Sequence, residues 1–267
     1  MGLGAWFWER DQGLLAEAGY ASWALDLPGH GALSHLNLSF DEIVEQVLDV
    51  VGQLPEPVVV VGHSAGGLVA QRLAGEVALQ SVVLLSPAPP AEVAMVPTLS
   101  MVKGAASALP AFALRRRVKF PDAAYENAGL SSLEEPERSR VLGQITSWPA
   151  KITRSLLFRP SVEPARCPVL VCFGGLDSLI PMRTSRLVGE YHGNAVTWRF
   201  DDVGHFAPIE PGGERVARAW IEWIGTPVGR KILEIDPFQP NEGRGSEARM
   251  ATAPKVRSNS RFGSKGR

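Results

Sequence analysis

The chain has 267 residues, 45% of them apolar and 21% charged, with a formal net charge of −1 at pH 7. That length and apolar fraction predict one large globular domain, or one domain with a sizeable insertion, and exclude a wholly disordered chain. Residues 237–267 carry seven Lys or Arg against two Glu, a net +5 that leaves the body at −6, so the body lacks the basic face of a nucleic-acid-binding domain.

At the N-terminus, MGLGAWFWERDQG reaches Glu9, Arg10 and Asp11 before any apolar run develops, and has no basic start. It does not read as an export signal. Trp6 breaks the myristoylation pattern that Gly2 would begin. ERDQGLLAEAG has apolar residues three and four apart and predicts a helix, and ASWALDL (21–27) predicts a first strand. FDEIVEQVLDVVGQL predicts a second helix. PVVVVG (57–62) and SVVLLSP (81–87) predict strands, with the helical pattern GLVAQRLAGEV between them.

Residues 88–165 break this alternation. They open with PAPPAEV and continue through a small-residue stretch to Arg115, Arg116 and Arg117. The most apolar stretch, 95–114, is interrupted by Pro97, Lys103 and Pro110 and is too broken to span a bilayer. PDAAYENAGL and SSLEEPERSRVLGQIT follow, with Ser131 or Ser132 positioned to cap a helix whose first turn holds Glu134 and Glu135. No buried-strand pattern occurs there, so an all-helical insertion is expected. Strands resume at PVLVCFG (168–174) and AVTWRF (195–200). A last helix, about 212–224, puts Val216, Ala217, Trp220, Ile221 and Ile224 on one side.

Strands that are apolar throughout, alternating with helices, predict an α/β fold with a doubly wound, mostly parallel sheet. The expected division is a core of 1–87 and 166–225, a helical insertion at 88–165, and a basic, solvated tail at 226–267 without packing role. Cys167 and Cys172 are separated by four residues, which excludes a disulfide framework, a four-cysteine zinc module and a CxxC redox pair. A reducing, cytoplasmic setting is the expectation.

The sharpest chemical signal is Gly62-His63-Ser64-Ala65-Gly66, a G-x-S-x-G between a four-valine strand and an apolar-periodic helix. A strand–turn–helix of this kind holds Ser64 in a tight turn where flanking glycines avoid steric clash. It also sets the amide of Ala65 at a helix N-terminus, where it can stabilise an oxyanion. A serine hydroxyl needs a base, and the base needs an acid to fix its tautomer. His205 follows AVTWRF and Asp177 follows PVLVCFG, both just past strand ends, in the chain order Ser…Asp…His. Asp201 and Asp202 are the rival acids, but they lie on the histidine's own loop. Of the other histidines, His30 and His35 read as turn or rim residues, His63 as a packing residue and His192 as a surface residue.

GHSAGG, DLPGHG, GGLDSLIP and VGHFAPIEP, in this order and spacing, resemble the α/β-hydrolase superfamily over residues 2–225. More narrowly they resemble its lid-bearing branch of small esterases, monoacylglycerol-lipase-like and proline-iminopeptidase-like enzymes. The resemblance implies Ser64 as nucleophile, His205 as base, Asp177 as orienting acid and 88–165 as a helical lid over an apolar pocket. It gives Asp26, Gly29 and Gly31 a structural turn role. It implies no metal or organic cofactor. A serine rather than an aspartate at position 64 counts against dehalogenase and epoxide-hydrolase chemistry; cofactor-free haloperoxidase and C–C hydrolase chemistry share the triad and stay open.

The sequence departs from the family at its front. The family's third strand, which lies between the strands ending here at Asp26 and Gly62 and closes on a His-Gly oxyanion turn, has no counterpart. Met1, Gly2 and Leu3 correspond to the remnant of that turn, with Leu3 or Gly2 giving the second oxyanion amide. A gap in the sheet is therefore expected. Its candidate explanations are a start site placed too far downstream, a substitute strand such as KILEID (231–236), or an inactive relative. The functional expectation is a serine hydrolase of a small-molecule carboxylic ester with an apolar acyl or aromatic group, and less readily of an amide or thioester. No nucleic-acid partner or membrane insertion is expected. The rival is a non-catalytic ligand-binding protein on the same scaffold.

Overall fold

The computed structural model describes residues 2–95, 97–99, 102, 103, 106, 109, 110, 114, 117–193 and 195–229. Among these the strands are β1 (Val59–His63), β2 (Ser81–Leu85), β3 (Arg117–Val118), β4 (Trp148–Pro149), β5 (Val169–Gly174) and β6 (Ala195–Phe200). The α-helices are α1 (Glu9–Glu17), α2 (Phe40–Val51), α3 (Ala65–Glu76), α4 (Asp122–Ala128), α5 (Glu137–Gln144), α6 (Ala150–Leu157), α7 (Met182–His192) and α8 (Gly213–Ile224).

The main sheet is parallel throughout, in the order β1-β2-β5-β6, with Val60 opposite Val82, Leu84 opposite Val171 and Cys172 opposite Trp198. Side chains alternate across it, as the two-residue period of a strand requires. Val82, Leu84, Val169 and Val171 pack with α2, α3 and α7, while Val83, Leu85, Leu170 and Cys172 pack with α1 and α8. Both faces are covered, which is why these strands read as unbroken apolar runs. The helices on the two faces follow from their sequences. Helix α2 is started by a capping box in which Ser39 and Glu42 bond reciprocally, and it buries Phe40, Ile43, Val44 and Val47. Helix α8 buries Val216, Trp220, Ile221 and Ile224, the side expected from their spacing.

A third apolar cluster joins the segment between β2 and β5 to the core. Val118, Tyr125, Leu130, Val141 and Trp148 pack there with Phe7 and Phe206. Ala128 of this segment lies beside the loop that follows β6, its carbonyl accepting from the His205 amide.

Three expectations need correction. Residues 21–27 belong to no strand or helix, with Trp23 55% exposed. A strand needs a ladder partner about 4.8 Å away, and a cavity of about 520 Å³ lies between this segment and β1. That cavity occupies the gap expected between Asp26 and Gly62. Second, the insertion is not all-helical: β3 and β4 form an antiparallel pair, Val118 opposite Trp148. Two-residue strands carry too little sequence to show a period. Third, Ser131 and Ser132 sit in a 3-10 turn, and α5 begins only at Glu137, behind Pro136. Proline fits the start of a helix because its missing N–H is not needed there. KILEID (231–236) and the tail beyond Gly229 lie outside the described residues, as do Arg115 and Arg116.

Candidate active site

Strand β1 ends in a sharp turn into α3, with Ser64 at φ 52° and ψ −120°. A non-glycine residue rarely holds such a backbone, and it persists only where neighbours over-determine it. Here the Ser64 amide donates to the Leu85 carbonyl at 3.0 Å, and the Ser64 carbonyl accepts from the amides of Gly67 and Ala88, both at 2.9 Å. The turn is thus pinned to the end of β2. A Cβ on Gly62 would stand 2.5 Å from the Gly66 carbonyl oxygen, and one on Gly67 would stand 2.9 Å from Pro87. Gly66 has open space around its missing Cβ. The steric demand falls on Gly62 and Gly67, which corrects the expectation that both glycines of the motif are needed for room.

Three loops at the carboxyl ends of β1, β5 and β6 bring Ser64, Asp177 and His205 together. His205 Nε2 lies 3.0 Å from Ser64 Oγ, and His205 Nδ1 lies 2.8 Å from Asp177 Oδ2. The acceptor-only carboxylate assigns the ring proton to Nδ1 and leaves the Nε2 lone pair facing the hydroxyl. Asp177 Oδ1 accepts from the amides of Leu179 and Ile180 at 2.8 and 2.9 Å. Burial by itself would raise this carboxyl. The charge of His205 and the hydrogen bonds from His205, Ile180 and Ser86 outweigh it and hold Asp177 below its ordinary range.

The structure puts the Ala65 amide at the first position of α3. Leu3 and Ala65 line the same cavity. Asp26 spans a turn, accepting from the Ala5 amide at 2.6 Å and the Ala32 amide at 2.8 Å. His30 is buried in a turn, with Nδ1 3.2 Å from the Pro28 carbonyl, and His35 is exposed. His63 is buried, and its Nε2–H donates to the His205 carbonyl at 2.7 Å, so it does more than fill space. Burial holds its ring well below the ordinary imidazole range, and it therefore stays neutral beside His205. His192 is buried rather than at the surface: its Nδ1 accepts from the Ala165 amide at 3.0 Å. The surrounding polar residues concealed this, because α7 turns that side of its last turn inward. Asp201 and Asp202 face solvent in ion pairs with Arg199 and Arg215.

Two partners of the histidine loop were not foreseen. Glu210, 2% exposed, accepts from the Gly204 amide at 2.6 Å and the Phe206 amide at 2.8 Å. Burial pushes its carboxyl up, against the pull of those two bonds. The Ala128 carbonyl, at the end of α4, accepts from the His205 amide at 2.7 Å. Glu210 carries no sequence signal beyond an acid in a loop, and a main-chain carbonyl carries none. Among the described residues no group of three or more His, Cys, Asp or Glu could hold a metal ion. No described helix is long and apolar enough to cross a membrane.

A model of the alpha/beta hydrolase family matches residues 1–219. The chain belongs to that family. Several solved structures resemble this α/β-hydrolase-fold enzyme. An esterase from Exiguobacterium antarcticum is 17% identical, with 84% of this chain and 88% of that one covered and a TM-score of 0.67. A monoacylglycerol lipase from Paleococcus ferrophilus is 24% identical over 86% of this chain and 92% of its own, at a TM-score of 0.62. The Arabidopsis methylesterase MES16 is 18% identical over 83% and 94%, at 0.63. At these identities the likeness is one of fold. No curated protein matches the sequence.

Proposed function

We propose that this α/β hydrolase cleaves small-molecule carboxylic esters through an acyl-enzyme on Ser64. The observation that carries the reading is the Ser64–His205–Asp177 relay, with links of 3.0 and 2.8 Å. His205 Nε2 takes the proton of Ser64 Oγ as the oxygen attacks the ester carbonyl. Asp177 holds the ring and stabilises the imidazolium that forms. The amides of Ala65 and Leu3 receive the developing oxyanion. His205 then protonates the departing alkoxide, and afterwards takes a proton from the water that releases the acid.

Residues 88–165 act as a lid on the core of 1–87 and 166–225, and the apolar composition of that segment suits a substrate with an acyl or aromatic group. Cys167 and Cys172 are buried thiols that form no disulfide, which fits a reducing, cytoplasmic setting. A second reading, a non-catalytic binding protein, draws on the cavity of about 520 Å³ beside β1, whose lining includes neither Ser64 nor His205.

Covalent labelling with a fluorophosphonate, followed by peptide mapping, separates the two. The hydrolase reading expects one adduct, on Ser64, and a loss of p-nitrophenyl ester hydrolysis of at least ~10³-fold in Ser64→Ala. A cooperatively folded chain that takes no adduct supports the binding-protein reading.

A further inference from the structure

The amides of Gly204, His205 and Phe206 and the carbonyl of His205 all have hydrogen-bond partners. The Gly204 amide donates to Glu210 Oε2 at 2.6 Å, the His205 amide to the Ala128 carbonyl at 2.7 Å, and the Phe206 amide to Glu210 Oε1 at 2.8 Å. The His205 carbonyl accepts from His63 at 2.7 Å. One buried carboxylate thus bridges the amides on either side of the base, a geometry that fixes the loop's dihedrals and with them the direction of the imidazole. Glu210 is itself anchored. Arg10 of α1 donates to the carbonyls of Glu210 and Ala207, both at 2.9 Å. The fit leaves no slack: a Cβ on Gly129 would stand 2.2 Å from Glu210 Oε1, and one on Gly204 would stand 2.7 Å from the Ala128 carbonyl. The end of α4 also touches the acid's loop, because Ser178 Oγ donates to the Asn127 carbonyl at 3.0 Å.

The geometry points to Glu210 as the positioning residue of the catalytic base, acting through the amides of Gly204 and Phe206 and backed by Arg10. A hydrophobic or amide side chain of the same size would fill the same space, so packing does not call for a carboxylate here. Two convergent N–H donors do. The carboxylate also adds a negative charge behind the imidazole, in a setting where the other ionisable groups are Asp177 from the loop after β5, His63 from β1 and Arg10 from α1. From α4, Tyr125 approaches the loop through the ring of Phe206.

This inference rests on the hydrolase reading, and its test keeps the two apart. Glu210→Gln retains the shape but turns an NH2 group towards one of the two donors. The expected result is kcat lower by about 10- to 100-fold with KM changed less than about threefold, because the ring is misdirected while the pocket is intact. The acidic limb of kcat/KM is expected to move to lower pH by about half a unit, since a negative charge that favours the protonated ring is gone. Arg10→Lys, at the half-buried outer end of the same chain of contacts, should give the same split in smaller measure, and it serves if Glu210→Gln does not fold. Unchanged kcat and an unchanged acidic limb in whichever variant is folded overturn the inference, provided wild-type Ser64 takes the fluorophosphonate. A wild type that takes none removes the hydrolase reading and this inference with it.

Discussion

Asp11 on α1 is 2% exposed, and neither of its carboxylate oxygens has a hydrogen-bond partner. Burial raises it to about 7, opposed in part by Arg10, whose guanidinium is committed to the carbonyls of Ala207 and Glu210. A carboxyl whose folded value is raised this way holds a proton that the unfolded chain has already lost. Stability is therefore full below about 4 and falls as pH rises to about 7. Asp11→Asn keeps the shape without the charge. It is expected to gain about 1–3 kcal/mol over wild type at pH 8 and little at pH 4, read from urea melts at both values. Equal stabilities at pH 8 would show that the carboxylate is solvated after all.

The turn between β1 and α3 shows which parts of a motif the packing demands. Gly62 must lack a Cβ because the Gly66 carbonyl oxygen comes within 2.5 Å of where that atom would be, and Gly66 itself faces open space. Gly66→Ala is expected to leave fluorophosphonate labelling intact and to stabilise by about 0.5–1 kcal/mol, the ordinary helix preference of alanine over glycine. Gly62→Ala is expected to cost about 2 kcal/mol or more and to abolish labelling, because β1 and α3 must part and Ser64 moves with them. Comparable labelling in both variants would mean that the turn is held by its hydrogen bonds alone. Segment 21–27 illustrates the opposite limit: its residues suit a strand, but a strand forms only where a partner lies within ladder distance, and the cavity of about 520 Å³ stands there instead.

Across the molecule, three buried histidines are kept neutral by desolvation. Burial lowers His30 and His192 to about 4, and it places His63 further below the ordinary range. They tie separate regions together: His63 bonds to the loop of His205, His192 joins Ala165 to Gln71, and His30 closes the turn after Asp26. A group whose folded value is depressed contributes stability that is present above about 6.5 and lost as pH falls towards about 4. The melting temperature should therefore decline as pH drops through that window, against the smaller, opposite trend from Asp11. His192→Gln, which cannot take a proton, should lose about 1–2 kcal/mol less than wild type between pH 7 and 4.5. Parallel stability profiles for the two proteins would rule out His192 as a contributor.

Composition and periodicity determined the parallel sheet, the helices on both faces and the strand ends that carry Ser64, Asp177 and His205. They could do so because apolar runs and three-to-four spacing are local properties, and a tight strand-to-helix turn depends on a few adjacent residues. Tertiary structure alone decided what those loops meet. The bracing of His205 by Glu210, Ala128 and His63 joins residues up to 142 positions apart, including main-chain groups that no side-chain pattern reveals. The burial of His192, the short β3–β4 pair and the separation of 21–27 from β1 have the same cause. Each depends on which surface a neighbour covers, and that is fixed only when the layers pack.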